Sequence, residues 1–158
     1  MADFKPPYPT LEDLDNVSGS RAVIVRLIRK WEARNPRRGN ILMSLDLLLL
    51  DEKDNLIKAS INHRLIGKFK NNLHEGSILC IKDFDVGKTY ERFKLSDHKY
   101  IIYFNHSTTI NEVLEYAPEI GKTKFRISNY EKLLSIANTN EELPDVVGRI
   151  IFVLGSNL

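Results

Sequence analysis

The sequence predicts an all-β fold: a five-stranded barrel with one helix between the third and fourth strands, followed by a C-terminal extension. Two observations support this prediction. Apolar and polar residues alternate in five separate stretches between residues 21 and 105, as they do in strands with one buried face. One stretch, residues 63–73, changes instead to the spacing of an amphipathic helix.

The first three predicted strands are joined by a loop and a turn. Residues 21–31 form the first strand, which ends where Pro and Gly appear in the following loop. Residues 41–50 are apolar at every odd position, which indicates one buried face and one partly solvent-exposed face. A turn of Asp and Asn separates this strand from residues 56–62. Lys58 and Asn62 occupy the polar positions of that third strand, so we expect them to face outward.

The helix of about three turns at residues 63–73 precedes two further strands, at residues 77–86 and 98–105. This order of strand, strand, strand, helix, strand, strand is the layout of the OB-fold barrel. In that fold, strands two and three form the floor of the ligand groove, and two loops form its walls. The predicted walls are therefore residues 33–40 and residues 86–92.

The chain divides into three predicted parts. Residues 1–20 form an N-terminal segment, residues 21–110 the OB-fold nucleic-acid-binding domain, and residues 111–158 a linker with the first strand of a truncated second OB domain. Residues 108–125 contain a candidate short helix and an exit segment. The strand-like sequence VVGRIIFVL lies near the C-terminus without a partner strand after it.

Composition and charge exclude several classes of function. The hydrophobic content of 42% and charged content of 28% are typical of a globular domain rather than a disordered chain. Cys80 is the single cysteine, so neither a disulfide nor a zinc ribbon is expected within the chain. No apolar stretch approaches the length of a membrane span, so we expect no membrane partner. Residues 1–15 carry acids and prolines where a signal peptide needs a basic and then an apolar segment, so we expect no secretory signal. Residues 21–42 carry seven basic residues and one acidic residue, a concentration suited to a polyanion.

No motif predicts catalysis, a metal site or a cofactor. The tripeptide Gly87-Lys88-Thr89 resembles the end of a nucleotide-binding loop, but Lys82 stands where such a loop needs glycine, and a strand rather than a helix follows. The four histidines lack the spacing of metal ligands. Asp83 and Asp85 have no accompanying nucleophile. We therefore expect a protein that is not an enzyme and that uses no cofactor.

Several sequence segments resemble a known family. MSLDLLLLDEKDNLIKASI followed by LIGKF, then YERFKLSDHKYIIYFNHSTTI, and finally FRISNYEKLL with LPDVVGRI are similar to the large subunit of replication protein A. The resemblance is to its first single-stranded DNA-binding OB domain and to plant proteins of that type, and it covers about residues 21–153. It implies non-catalytic binding of single-stranded DNA in replication and repair, a nuclear location, and other subunits of replication protein A type as partners.

Basic residues and aromatic rings form the predicted binding site. The residues that the fold and the resemblance place there are Arg34, Arg37, Arg38, Lys58, Asn62, Lys88, Tyr90, Arg92 and Phe93. Phe93 matches the family's second stacking aromatic, and Tyr90 and Trp31 are further candidates for stacking. Asn62 stands where the family has its first stacking aromatic. Since base stacking is worth about 1–3 kcal/mol, this change should weaken binding by about 5- to 150-fold.

Two other functions use the same groove. A protein-interaction OB domain would bind acidic peptides through the arginines, without needing an aromatic at Asn62. An RNA-binding OB domain would use the same chemistry to bind an RNA strand.

Overall fold

The computed structural model describes residues 9–14, 21–89, 94–139 and 144–151. The strands are β1 (Ala22–Asn35), β2 (Ile41–Leu50), β3 (Leu56–Asn62), β4 (Ile78–Lys82), β5 (Asp85–Lys88), β6 (Tyr100–Tyr103) and β7 (Thr109–Glu112); the α-helices are α1 (Ile66–Phe69) and α2 (Tyr130–Ile136). All seven strands belong to one sheet with the order β5-β6-β3-β2-β1-β4-β7. The predicted mainly β architecture is confirmed, but the described residues contain seven strands and two α-helices rather than five and one.

The β1–β2–β3 meander follows the predicted alternation. β2 and β3 have the predicted bounds, and Ile57, Ala59 and Ile61 of β3 are buried in the main core. Lys58 and Asn62 lie on the other face of β3. β1 is longer than predicted, because its polar end continues to pair with β2 as far as Asn35 opposite Ile41. Hydrogen bonds to β2 therefore keep this polar segment extended, although its own sequence does not predict a strand.

A bend at Asp83 divides the predicted fourth strand into β4 and β5. Asp83 has a φ of 57°, in the left-handed region that Asp tolerates better than most residues. Its N–H donates to the Arg21 carbonyl at 2.8 Å, and its own carbonyl accepts from the buried Thr108 hydroxyl at 3.1 Å. β4 pairs with β1, whereas β5 pairs with β6. Because only two residues separate β4 from β5, the sheet curls until its two ends approach each other.

The helical segment between β3 and β4 is shorter than predicted. α1 is continued by a 3-10 helix, Lys70–Asn72, and no side chain caps its N-terminus. Gly67 lies within α1 and has a low helix propensity. Phe69 and Leu73 nevertheless reach the barrel interior, where the Phe69 ring meets Phe104 edge to face at 5.1 Å between centroids. These buried contacts hold a segment that is weakly helical by itself.

Residues 108–125 contain a strand where the sequence predicted a short helix. β7 pairs with β4 and contributes Ile110 to the core. Helix α2 lies farther along the chain. Residues 146–151, the described part of the predicted final strand, form no strand, and residues 152–158 lie outside the described residues. The division of the chain into domains stays a prediction.

The segment after β7 packs against the outside of the barrel. Ile120 is buried in a second apolar cluster that includes Ile24, Leu50 and Cys80. The Arg26 guanidinium donates to the Ile120 carbonyl from Nε at 3.3 Å and from Nη2 at 3.0 Å. The second cluster lies on the opposite side of the sheet from the main core, so this part of the predicted linker covers a barrel surface that would otherwise be exposed.

Neither α-helix of the described residues is long and apolar enough to cross a membrane.

Candidate nucleic-acid interface

One row of side chains crosses the outer face of the sheet where an OB fold places its ligand groove. The strand register pairs Trp31 with Asp46, Asp46 with Ser60, Ser60 with Tyr103, and Tyr103 with Asp85. Paired residues of neighbouring strands present their side chains on the same face of a sheet. We call this row the groove floor. It combines two aromatic rings with two carboxylates.

A buried carboxylate lies at the centre of the groove floor. Asp46 Oδ1 accepts hydrogen bonds from the Ser44 and Ser60 hydroxyls, each at 2.8 Å. Asp46 Oδ2 forms an ion pair with Lys58 Nζ at 3.0 Å, and the two side chains are 6% and 15% exposed. The structure therefore places the predicted DNA contact Lys58 beside an anion, so that its charge stabilises the floor. A phosphate would have to compete with Asp46 for this ammonium group.

Tyr103 is the exposed aromatic residue of the groove floor, and it is not among the predicted site residues. Its side chain is on the face opposite the buried Ile102, and the residue is 42% exposed. The ring lies over Gly87 of the neighbouring strand, where an added Cβ would come within 2.8 Å of the Tyr103 Cε2 atom. Glycine at this position lets the ring lie against the backbone of β5. Alternation in the sequence YIIY, with Ile102 inward, is the signal that could have identified Tyr103.

The first wall carries the predicted arginines. A 3-10 helix, Pro36–Arg38, follows β1, and the Asn35 side chain caps it by accepting from the Arg37 N–H at 3.0 Å. We call residues 36–40 the arginine turn. Arg37 and Arg38 are both exposed there. Arg34 belongs to β1 instead, and its guanidinium is held by Glu32 at 2.6 Å and by the Asn40 carbonyl at 3.1 Å.

The arginine turn lies beside the groove floor, whereas Lys88 is on the other face of the sheet. Ala33 and Asn62 both pair with Ser44, which places Asn62 at the same end as the arginine turn. Lys88 is exposed at the end of β5 and pairs with Tyr100, which packs against the main core. The register therefore puts Lys88 on the face opposite Tyr103 and Asp85, so the structure does not bring this predicted contact to the groove floor.

The Asn62 side chain takes part in a local turn. Its Oδ1 accepts from the Arg64 N–H at 3.1 Å, and its residue is exposed at the end of β3. It faces outward as predicted but presents no ring. The second wall begins at Thr89 rather than at Val86, because residues 86–88 belong to β5. The predicted contacts Tyr90, Arg92 and Phe93 lie outside the described residues.

The C-terminal extension holds the far end of the second wall. The Arg126 guanidinium donates to the Lys94 carbonyl at 3.0 Å and to Asp97 Oδ1 at 2.7 Å. Its backbone N–H donates to Asp145 Oδ2 at 2.6 Å. Arg126 thereby connects the loop between β5 and β6 with two parts of the extension, a contact that the sequence alone does not indicate.

Cys80 and the possible metal ligands of the described residues give no sign of a reactive centre. Burial raises the pKa of the Cys80 thiol, so this group stays protonated and a poor nucleophile at neutral pH. No group of three or more His, Cys, Asp or Glu residues in the described part of the chain could hold a metal ion. The arrangement is suited to binding, because exposed arginines lie beside a floor with an exposed ring.

The curled sheet has α1 between β3 and β4, and its strand order runs from β5 at one edge to β4 and β7 at the other. This arrangement defines an OB-fold domain. A chain of a Replication Protein A heterotrimer bound to ssDNA has the same fold, with a TM-score of 0.60 and 22% identity over 80% of this chain. The match spans 29% of that longer chain. DNA binding domain A of S. cerevisiae Replication Protein A gives a TM-score of 0.53 and 20% identity, covering 67% of this chain and 93% of that domain.

The sequence matches the family described as Domain of unknown function DUF223 over residues 12–130, and the chain belongs to this family. No curated protein gives a significant sequence match. The resemblance to replication protein A is thus confirmed at the level of the OB fold.

Proposed function

We propose that this protein binds single-stranded DNA without catalysing a reaction, in the manner of the first OB domain of the replication protein A large subunit. The observation that carries the proposal is the groove floor, which presents the exposed Tyr103 ring on the outer face of the sheet with the arginine turn beside it. An exposed ring on a sheet, with cations beside it, is the combination that OB folds use for unpaired strands.

The charges of the groove set the orientation of the bound strand. Phosphates are attracted to Arg37 and Arg38, which are exposed in the arginine turn. The floor contains the exposed carboxylate of Asp85, which repels phosphates, whereas the charge of Asp46 is balanced by Lys58. The bases therefore turn toward the floor and the backbone stays outside. Phosphate contacts supply affinity for any sequence, and stacking on Tyr103 favours unpaired bases.

The cellular setting is part of the same proposal. Similarity to replication protein A supports a nuclear protein of DNA replication or repair that acts with other subunits of that type. The large-subunit and plant-type assignments rest on the sequence segments quoted above.

A second candidate is an interaction domain for acidic peptides. Ile41 and Met43 are exposed in β2, immediately after the arginine turn. Apolar side chains beside arginines are typical of a surface that contacts protein. This candidate predicts binding of an acidic peptide in preference to an oligonucleotide of the same charge.

Fluorescence anisotropy tests the proposal directly. Labelled oligo-dT, oligo-rU, a DNA duplex and an acidic peptide of matched charge are each titrated with the protein at several salt concentrations. Single-stranded DNA is expected to bind most tightly, with an affinity that falls as salt rises. Preference for oligo-rU would indicate an RNA-binding domain. A correctly folded protein that binds none of the oligonucleotides even at low salt would overturn the proposal.

Replacing Arg37 and Arg38 with alanine is expected to reduce the salt dependence of DNA binding. Each phosphate contact on a single strand contributes about 0.7 to the slope of log affinity against log salt, so the double variant should lose about 1.4. Lys70→Ala, in the 3-10 helix after α1, is the control for loss of a cation away from the groove. An unchanged slope in the arginine variant would remove the arginine turn from the interface.

Replacing Tyr103 with alanine is expected to weaken single-strand binding by about 5- to 150-fold, because one base loses its stacking surface. The salt slope should stay the same, since no cation is removed. Tyr103→Phe keeps the ring and should bind like the wild-type protein. Equal loss of affinity in both variants would mean that the hydroxyl group, rather than the ring, makes the contact.

A further inference from the structure

We propose that Tyr103 and Asp85 form a base-selective subsite that prefers bases with an exocyclic amino group over thymine and uracil. This inference rests on the proposed single-strand binding and names a specificity within the same groove. A platform ring and an adjacent hydrogen-bond acceptor are the two parts that such a subsite requires.

The two side chains are neighbours on the groove floor. Asp85 is the cross-strand partner of Tyr103, which places their Cβ atoms roughly 5 Å apart on the same face. Both residues are exposed, and the ring lies over Gly87 on the same strand as Asp85. A base stacked on Tyr103 therefore lies above β5, with its edge within reach of the Asp85 carboxylate.

The carboxylate is held in place by a chain of hydrogen bonds. Asn105 Nδ2 donates to Asp85 Oδ2 at 3.0 Å. Asn105 is fixed in turn, because its Oδ1 accepts from the N–H groups of Ser107 at 2.8 Å and Thr108 at 3.1 Å. The Thr108 hydroxyl continues the chain to the Asp83 carbonyl at 3.1 Å. Among the described residues, Asn105 is the hydrogen-bond donor to the Asp85 carboxylate. The carboxylate can therefore still accept hydrogen bonds from a ligand.

The chemistry of a carboxylate selects the base. An ionised carboxylate only accepts hydrogen bonds, and the amino groups of cytosine, adenine and guanine donate them. Thymine and uracil present a carbonyl at the position where cytosine carries its amino group, so two acceptors would face each other. The stacking energy is similar for all bases, whereas the edge contact differs. The subsite should therefore discriminate without losing general single-strand binding.

Oligo-dC and oligo-dU of equal length test the inference, because deoxycytidine and deoxyuridine differ at the edge that would face Asp85. Each unlabelled strand displaces a labelled mixed-sequence strand at pH 8 and one fixed salt concentration. The wild-type protein should prefer oligo-dC by about fivefold, the lower end for a base-edge contact, since the site is exposed. Asp85→Asn should bring this ratio to one or below, because an amide can donate to the uracil carbonyl.

The measured quantity is the ratio of the affinities for oligo-dC and oligo-dU, because removal of a negative charge raises the affinity for both oligonucleotides. Glu52→Gln, in the exposed turn between β2 and β3, makes the same charge change and should keep the preference. A wild-type ratio near one, or a preference that survives Asp85→Asn, would overturn the inference and leave the proposed function standing. Failure of every strand to bind would overturn the proposed function and this inference with it.

Discussion

Asp46→Ala is expected to lower the free energy of unfolding by about 3 kcal/mol, the low end for breaking a buried ion pair. The substitution takes the Asp46 carboxylate away from the Lys58 ammonium, whose side chain is only 15% exposed. It also removes the acceptor of the Ser44 and Ser60 hydroxyls. Urea denaturation followed by circular dichroism measures the change, with an unchanged m-value showing that the same surface unfolds.

A double-mutant cycle separates the ion pair from loss of packing. Lys58→Met alone should also destabilise the protein, because Asp46 then keeps a buried charge. Asp46→Ala combined with Lys58→Met should be less destabilised than the sum of the single variants by about 1 kcal/mol or more. Strict additivity would contradict the role of this pair in the groove floor.

The same lysine variant tests the predicted DNA contact. If Lys58 touches a phosphate, Lys58→Met lowers the salt slope by about 0.7. If its charge is fully occupied by Asp46, the slope stays that of the wild-type protein.

Ile120→Ala is expected to lower the free energy of unfolding by about 2–3 kcal/mol, because it opens a space in the second apolar cluster. Ile120 is 6% exposed and covers Ile24, Leu50 and Cys80. Leu114→Ala is the matched control, since Leu114 is 82% exposed in the same segment and its loss should change stability by less than about 0.5 kcal/mol. Equal stability of the two variants would show that the segment does not pack on the barrel.

Chemical labelling of Cys80 tests the packing of this segment on the barrel independently. Its thiol is buried and its raised pKa keeps it protonated, so labelling by a maleimide should be slow in the wild-type protein. Ile120→Ala should accelerate this labelling under native conditions, and Leu114→Ala should not.

The strands that the sequence predicted most accurately are those with one face in the core. β2 and β3 have the predicted bounds because alternation of apolar residues with Lys58, Ser60 and Asn62 is visible within each segment. β7 was missed because it is short and its sequence TINE contains one buried apolar residue. Its strand conformation depends on pairing with β4, which lies far away in the sequence.

Part of the candidate site follows from the sequence for the same reason. Arg37 and Arg38 are exposed because a loop between two clear strands must carry them to the surface, and their contact with DNA stays a prediction. The place of the Tyr103 ring depends on Gly87, which accommodates it and lies on another strand. The pairing of Lys58 with Asp46 likewise joins residues on different strands, so neither strand predicts it by itself.

The sequence by itself determined which residues face the barrel core and which face outward, because side-chain alternation is a local property of a strand. It also determined the concentration of arginines near the first loop. Only the tertiary structure decided which of the outward residues remain available to a ligand. That outcome depends on contacts between distant segments: Asp46 engages Lys58, the Tyr103 ring lies over Gly87, and Ile120 covers Cys80.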